Sequence, residues 1–273
     1  MGKLSGKVVL ITGGSSGIGK ALTNEALARG AKVAVCGRDI NKLQNSFTAS
    51  ENLICVQADV SKEEQCAAFV QAAVQKWGQV DVLINNAGIS MRALFNEVDL
   101  TVIRELMDIN FWGAVNCTKF ALPAILKTKG VICGVSSIAG YRGLPCRTGY
   151  SASKFALQGF LESLKTELLQ TGTHVMWVSP GFIASNIRNV ARGADGSAQG
   201  ETPLDESKLM SAETCAQIIL DGIEQRKRTV VMTSQGKLTV FINKLFPSLA
   251  DKLVFGHFMK EPDSPLSRLP KNQ

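Results

Sequence analysis

Apolar-rich runs with many β-branched residues recur along the chain at 7–11, 32–36, 53–57, 80–84, 131–135, 174–178 and 229–232. Short runs that do not alternate with polar residues predict strands buried on both faces. The segments between them change period. Residues 20–28 and 63–77 carry apolar side chains three and four apart, the spacing of helices with one buried face. Strands alternating with helices predict an α/β fold, a doubly wound seven-stranded parallel sheet with helices on both faces and right-handed crossovers.

Two regions break this rhythm. Residues 186–210 collect Gly193, Asp195, Gly196, Ser197, Gly200 and Pro203, a composition that predicts a mobile loop. Residues 236–259 hold two apolar-rich helical pieces separated by Pro247, which cannot continue a helix without losing a hydrogen bond. The expected organisation is one domain over 1–232 followed by a helical extension over 233–273.

Composition narrows the class. The chain has 273 residues, 45% hydrophobic and 19% charged, which excludes a disordered polymer. Seven cysteines (36, 55, 66, 117, 133, 146 and 215) form no CxxC pair, and the histidines are only His174 and His257. Buried thiols in a reducing, cytoplasmic compartment are expected, with no metal site. The first six residues lack a signal-peptide core, and no run is long and apolar enough to span a bilayer. The net charge of +7 is uneven: residues 226–273 hold nine Lys/Arg against three Asp/Glu, leaving +1 on the rest. A nearly neutral body argues against a nucleic-acid partner.

The chemistry begins at the first strand, which runs into Thr12-Gly13-Gly14-Ser15-Ser16-Gly17-Ile18-Gly19 and then a helix. Glycines at 13, 17 and 19 allow a sharp turn and close approach, and the helix start offers free N–H groups to a pyrophosphate. Gly13, Ser15, Ser16, Gly17, Ile18 and Gly19 are therefore candidate phosphate contacts. The spacing is not GxGxxG, and the missing Lys-Ser/Thr argues against an NTPase. A ligand-free strand-to-helix turn is the alternative. The second strand ends in Gly37-Arg38-Asp39. Gly37 stands where an acid would meet a ribose 2′-hydroxyl, and Arg38 suits a 2′-phosphate, which favours NADP(H). Asp39 is expected to cap the next helix.

Tyr150 and Lys154 lie four apart in a helical stretch running to about residue 170, so they share a face. An ammonium beside a phenol, together with the positive charge of an oxidised nicotinamide, favours the phenolate and would suit the tyrosine for acid/base work. Ser137, thirteen positions upstream at a strand end, can reach the same substrate oxygen. The sequence resembles the short-chain dehydrogenase/reductase family over residues 5–232. The match rests on Thr12-Gly13 through Gly19, Asp59-Val60, Asn85-Asn86-Ala87-Gly88, Asn110, Ser137, Tyr150-xxx-Lys154 and Pro180-Gly181.

That resemblance implies a Rossmann-like fold and a catalytic set of Asn110, Ser137, Tyr150 and Lys154. Tyr150 would be the general acid/base and Ser137 the group steadying the substrate oxygen. Lys154 would hold the nicotinamide ribose, and Asn110 a proton-relay water. Asp59 and Val60 would border adenine, with Asn86, Ala87 and Gly88 near the adenosine ribose. After Pro180 and Gly181, Ile183 and Ser185 would meet the carboxamide; the family usually has Thr where Ser185 stands.

The expected reaction is hydride transfer from NADPH to a carbonyl of a lipophilic small molecule. An NAD(P)+-dependent alcohol or hydroxysteroid dehydrogenase, and a non-catalytic NADP(H)-binding protein, are the alternatives. The pocket would be bounded by 90–95, 138–147, Phe182 and the 186–210 loop. Met91, Leu94, Phe95, Tyr141, Leu144 and Phe182 would make it apolar, with Arg92, Arg142 and Arg147 at its mouth or simply solvated. In 236–259, apolar residues at helical spacing alternate with Lys237, Lys244 and Lys252, which fits peripheral contact with an anionic membrane. Packing on the body or on a second subunit is equally open. The extension resembles that of membrane-associated lipid- and steroid-metabolising members, and the long helices at 99–128 and 148–170 resemble those that build family homo-oligomers.

Overall fold

The computed structural model describes residues 3–200 and 209–270. The strands are β1 (Val8–Thr12), β2 (Lys32–Gly37), β3 (Leu53–Gln57), β4 (Val82–Asn85), β5 (Val131–Val135), β6 (His174–Ser179) and β7 (Thr229–Val231). They form one parallel sheet in the order β3-β2-β1-β4-β5-β6-β7. Each expected strand is present, with ends displaced by no more than two residues. The helices are α1 (Gly17–Ala28), α2 (Ile40–Gln44), α3 (Glu63–Trp77), α4 (Leu100–Met107), α5 (Gly113–Thr128), α6 (Thr148–Glu167) and α7 (Ala212–Glu224), followed by α8 (Ser234–Leu245) and α9 (Pro247–Met259).

Both faces of the sheet are covered. Along β1, Val8 and Leu10 pack into one apolar cluster with Phe69 of α3, Leu106 of α4, Ile125 of α5 and Leu157 of α6. Val9 and Ile11 point the other way, into a cluster with Leu22 of α1 and Ile219 of α7. That alternation is why the strands read as unbroken apolar runs.

Local signals set the element ends. α3 opens with Glu63 and Glu64 at its positive end and closes on Gly78 at φ +74, where a Cβ would be strained. The single helix expected over 99–128 is interrupted by one π-helical turn at Asp108–Trp112. Turns of that kind are found mostly as single turns inside α-helices, frequently at functional sites, and here the turn contains the buried Asn110. Pro247 opens α9 at its first turn, where the missing N–H costs nothing. α6 ends at Glu167, short of the expected 170.

The sheet order reverses between β1 and β4, because the chain passes outward through β2 and β3 and returns to the other side. A crevice opens at the carboxyl ends of strands on either side of such a reversal.

Candidate active site

The crevice is a cleft of about 440 Å³ above β1 and β4. Every residue expected at the cofactor lines it: the loop residues 13 and 15–19, Arg38, Asp59, Val60, Asn86, Ala87, Gly88, Tyr150, Lys154, Pro180, Gly181, Ile183 and Ser185. The loop is built for close approach. A Cβ on Gly19 would sit 2.1 Å from the Gly13 carbonyl oxygen, and one on Gly13 would sit 2.8 Å from Ala87 Cα. Ser16 stands at the start of α1 without a side-chain capping bond, and the first-turn N–H groups of a helix have no partner within it. Asn86 braces the floor: its Nδ2 donates to the carbonyls of Thr12 (2.8 Å) and Gly13 (3.1 Å).

Arg38 is joined in the cleft by Lys42 from the first turns of α2. Lys42 was not foreseen, because an exposed lysine in a short helix carries no signal in one sequence. Gly37, at the position read for the ribose, also lines the cleft, and so do Ile109, Ile187 and Arg192, which were not named for it. Arg192 is held by two short bonds to Glu105 of α4, at 2.6 and 2.8 Å. Its backbone pairs with Ser90 and Arg92. The described part of the 186–210 loop is thus pinned across the cleft.

Ser137, Tyr150 and Lys154 meet where this cleft joins a second cavity. Ser137 caps a short 3₁₀ turn after β5, its Oγ accepting from the Ala139 N–H at 3.1 Å, and it lines both cavities together with Tyr150. Burial holds the Tyr150 phenol above its ordinary range, against the opposing effects of the Ser137 hydroxyl and the Arg147 charge. Lys154 Nζ donates to the Val135 carbonyl at 2.9 Å and lies 5.7 Å from the Tyr150 ring centre. Burial pushes Lys154 down to about 8. Desolvation is the largest influence on both groups, and it penalises both charged forms.

Asn110 is not in the cleft wall. It is 1% exposed, donates to the Ile89 carbonyl (2.9 Å) and to Ser153 Oγ (2.9 Å), and accepts from the Ile89 N–H (2.8 Å). It stands just behind Gly88, whose Cβ would fall 3.2 Å from Asn110 Oδ1 and 3.3 Å from Lys154 Nζ.

The second cavity, about 320 Å³, is lined by Ser137, Tyr150 and Gly181 from the catalytic side and by Leu144, Phe182 and Ile138 from the body. Ser90, Arg147, Ile187 and Arg188 add to the body side, and the rest of the wall comes from Thr233, Gln235, Gly236, Thr239, Leu253, Val254, His257 and Phe258. The C-terminal extension therefore packs on the body and closes the pocket. This corrects the expected lining. Met91 and Tyr141 are drawn into internal contacts: Met91 is fully buried, and the Tyr141 hydroxyl accepts from Trp177 Nε1. Leu94 joins the small cluster under α9, and Phe95 faces outward at 64% exposure. Arg92 and Arg142 do not reach the mouth. Arg142 pairs with Asp251 and Asn243 of the extension, and Arg92 with Glu261 and the Pro262 carbonyl.

The outer side of the extension is different. Leu238, Phe241, Leu245, Phe246, Leu249, Leu253 and Phe255 are 48–57% exposed, among exposed Lys237, Lys244 and Lys252. No described helix is long and apolar enough to cross a membrane. Among the described residues no cluster of acidic, histidine or cysteine side chains could hold a metal. The seven cysteines are free, and all but Cys55 are buried.

The model of the short-chain dehydrogenase family matches residues 7–195. The chain belongs to that family. Mouse "Dehydrogenase/reductase SDR family member 7B" is 34% identical over 271 residues, 96% of this chain and 84% of the relative. An Arabidopsis thaliana protein named "11-beta-hydroxysteroid dehydrogenase 1A" is 35% identical, over 91% of this chain and 74% of the relative. Among solved structures, a Burkholderia cenocepacia short-chain dehydrogenase in complex with NADP is similar with a TM-score of 0.79 at 24% identity, covering 93% of this chain and 99% of that one. A Burkholderia phymatum member in complex with NAD gives 0.78 at 23% identity, covering 91% and 96%. The shared fold thus accompanies either dinucleotide. As a family member, the chain is an oxidoreductase of the nicotinamide-dependent type.

Proposed function

We propose that this enzyme uses NADP(H) to reduce the carbonyl of a lipophilic small molecule to an alcohol. The observation that carries the reading is the meeting of two cavities at Ser137, Tyr150 and Gly181: a long polar cleft on one side, an apolar chamber on the other. The cleft fits a dinucleotide, since its glycines leave no room for side chains and its helix start leaves N–H groups open. Arg38 and Lys42 favour a 2′-phosphate.

A nicotinamide cofactor held there would supply the hydride. Tyr150 donates a proton to the substrate oxygen, which Ser137 Oγ steadies by a hydrogen bond. Lys154 supplies positive charge beside the phenol and a donor for the cofactor ribose. Asn110 holds the β4 exit loop at Ile89 and so fixes the space in front of Lys154 from which protons are resupplied. Leu144, Phe182, Val254 and Phe258 exclude water around the carbonyl.

The exposed apolar face of α8 and α9, fringed by lysines, supports peripheral attachment to an anionic bilayer. Leu253 lies both on that face and in the chamber wall, which favours a substrate arriving from lipid. Trp112 and Phe155, each about half exposed, support self-association through the α5–α6 side. Thermal stabilisation by NADPH against NADH tests the central claim. A clear NADPH preference that disappears in Arg38→Ala is expected; equal response to both cofactors overturns it.

A further inference from the structure

One of the three arginines expected at the pocket mouth does line the chamber, and the C-terminal segment holds it there. Arg147 precedes α6 and shares the chamber wall with Tyr150. Its guanidinium carbon lies 4.6 Å from the Phe258 ring centre. Its Nη2 lies 3.2 and 3.4 Å from the two carboxylate oxygens of Glu261. That carboxylate also faces Arg92 Nε at 3.4 Å, and the Glu261 side chain is 4% exposed. Two guanidinium groups thus share one acid in a nearly dry place. Such clusters add little to stability over an apolar alternative, but an excess charge there acts strongly on what it faces.

We propose that Arg147 is a positioning residue for Tyr150, and that Glu261 of the C-terminal segment sets how much of the Arg147 charge the phenol faces. The proposal rests on Tyr150 as the proton donor. The other charged and titratable groups that share a cavity wall with Tyr150 are Lys154 on its own helix, Arg188 and Arg192 from the loop after β6, His257 from α9, and Arg38, Lys42 and Asp59 of the cleft. Lys154 donates to Val135, Arg188 to Ile183 and Arg192 to Glu105, so each is anchored to the body. Arg147 differs, because its acidic partner arrives with the extension. Its charge pulls the phenol downward while burial pulls it up, and Glu261 tempers that pull.

The chain contains two tyrosines, Tyr141 and Tyr150. Ring-carbon NMR of the full-length protein carrying Tyr141→Phe and labelled in tyrosine therefore reports on Tyr150 alone. Arg147→Gln should raise the Tyr150 midpoint by about one pH unit and Glu261→Gln should lower it, while Arg147→Lys stays near wild type. Simple loosening of the chamber would hydrate the phenol and lower the midpoint in every variant. A downward or absent shift in Arg147→Gln overturns the proposal. Should that variant not fold, an unmoved midpoint in Glu261→Gln or a downward one in Arg147→Lys does so. The titration needs neither cofactor nor substrate. Retained turnover in Tyr150→Phe would separately overturn the proton-donor reading.

Discussion

Asp39 accepts a hydrogen bond from the backbone N–H of Lys42 at 2.9 Å, a capping contact that ties its carboxylate to the start of α2. The acid that follows β2 is thereby turned to structural use, while Arg38 and Lys42 line the cleft. Arg38→Ala and Lys42→Ala should each weaken NADPH binding about tenfold, the loss of one charged hydrogen bond. NADH binding should be unchanged. Calorimetric titration of both cofactors checks this.

Tyr150→Phe removes the hydroxyl and keeps the ring. Turnover should fall about a thousandfold, the scale of a lost general acid. NADPH affinity should stay within about twofold, because the cleft loses no charge.

Asn110→Leu would leave the Ile89 N–H and carbonyl without the partners they have now. Buried groups stranded in this way cost about 1–3 kcal/mol each. A lowered Tm together with lost turnover is expected, in contrast to Tyr150→Phe, whose Tm should be close to wild type.

Alkali should lower the stability of the protein through its thiols. Burial pushes Cys36, Cys133 and Cys215 up to about 12, from an ordinary value of 9.0. With the folded value above the unfolded one, their contribution is complete below about pH 9 and is lost as pH climbs toward 12. Each thiol steepens the loss by about 1.4 kcal/mol per pH unit. Urea denaturation at rising pH should show the decline, and Cys133→Ala should make it shallower by one thiol.

Vesicle flotation tests the outer face of the extension. Phe241 and Phe246 lie outside the chamber lining and are 57% and 55% exposed. Changing both to Ser should reduce binding to phosphatidylserine vesicles by at least about tenfold, given about 1.5–3 kcal/mol for each buried Phe. Cofactor affinity should be unaffected. Absence of binding by the wild-type chain would leave the lipid reading without support.

The sheet and the cleft were legible because their signals are local. An apolar run announces a strand, and a glycine loop between strand and helix announces a place where side chains cannot fit. The expected cleft residues lie within short motifs, and the fold gathers them at the β1/β4 reversal. The chamber was not legible in the same way. Met91 and Phe95 sit in the expected segment, yet one is buried and the other faces outward. Arg92 and Arg142 find partners more than one hundred positions downstream, a pairing that no spacing rule encodes. The π-helical turn that contains Asn110 likewise has no clear mark in the sequence.

Much of the chamber wall, from Thr233 to Phe258, comes after the last strand. Those residues take no part in the sheet or the glycine loop. On the proposed reading, substrate preference can therefore drift, or be exchanged by grafting a different tail, while the sheet and the nucleotide cleft are inherited intact. Divergence among relatives is expected to concentrate in this appendage, which makes it the first place to randomise when redirecting the enzyme.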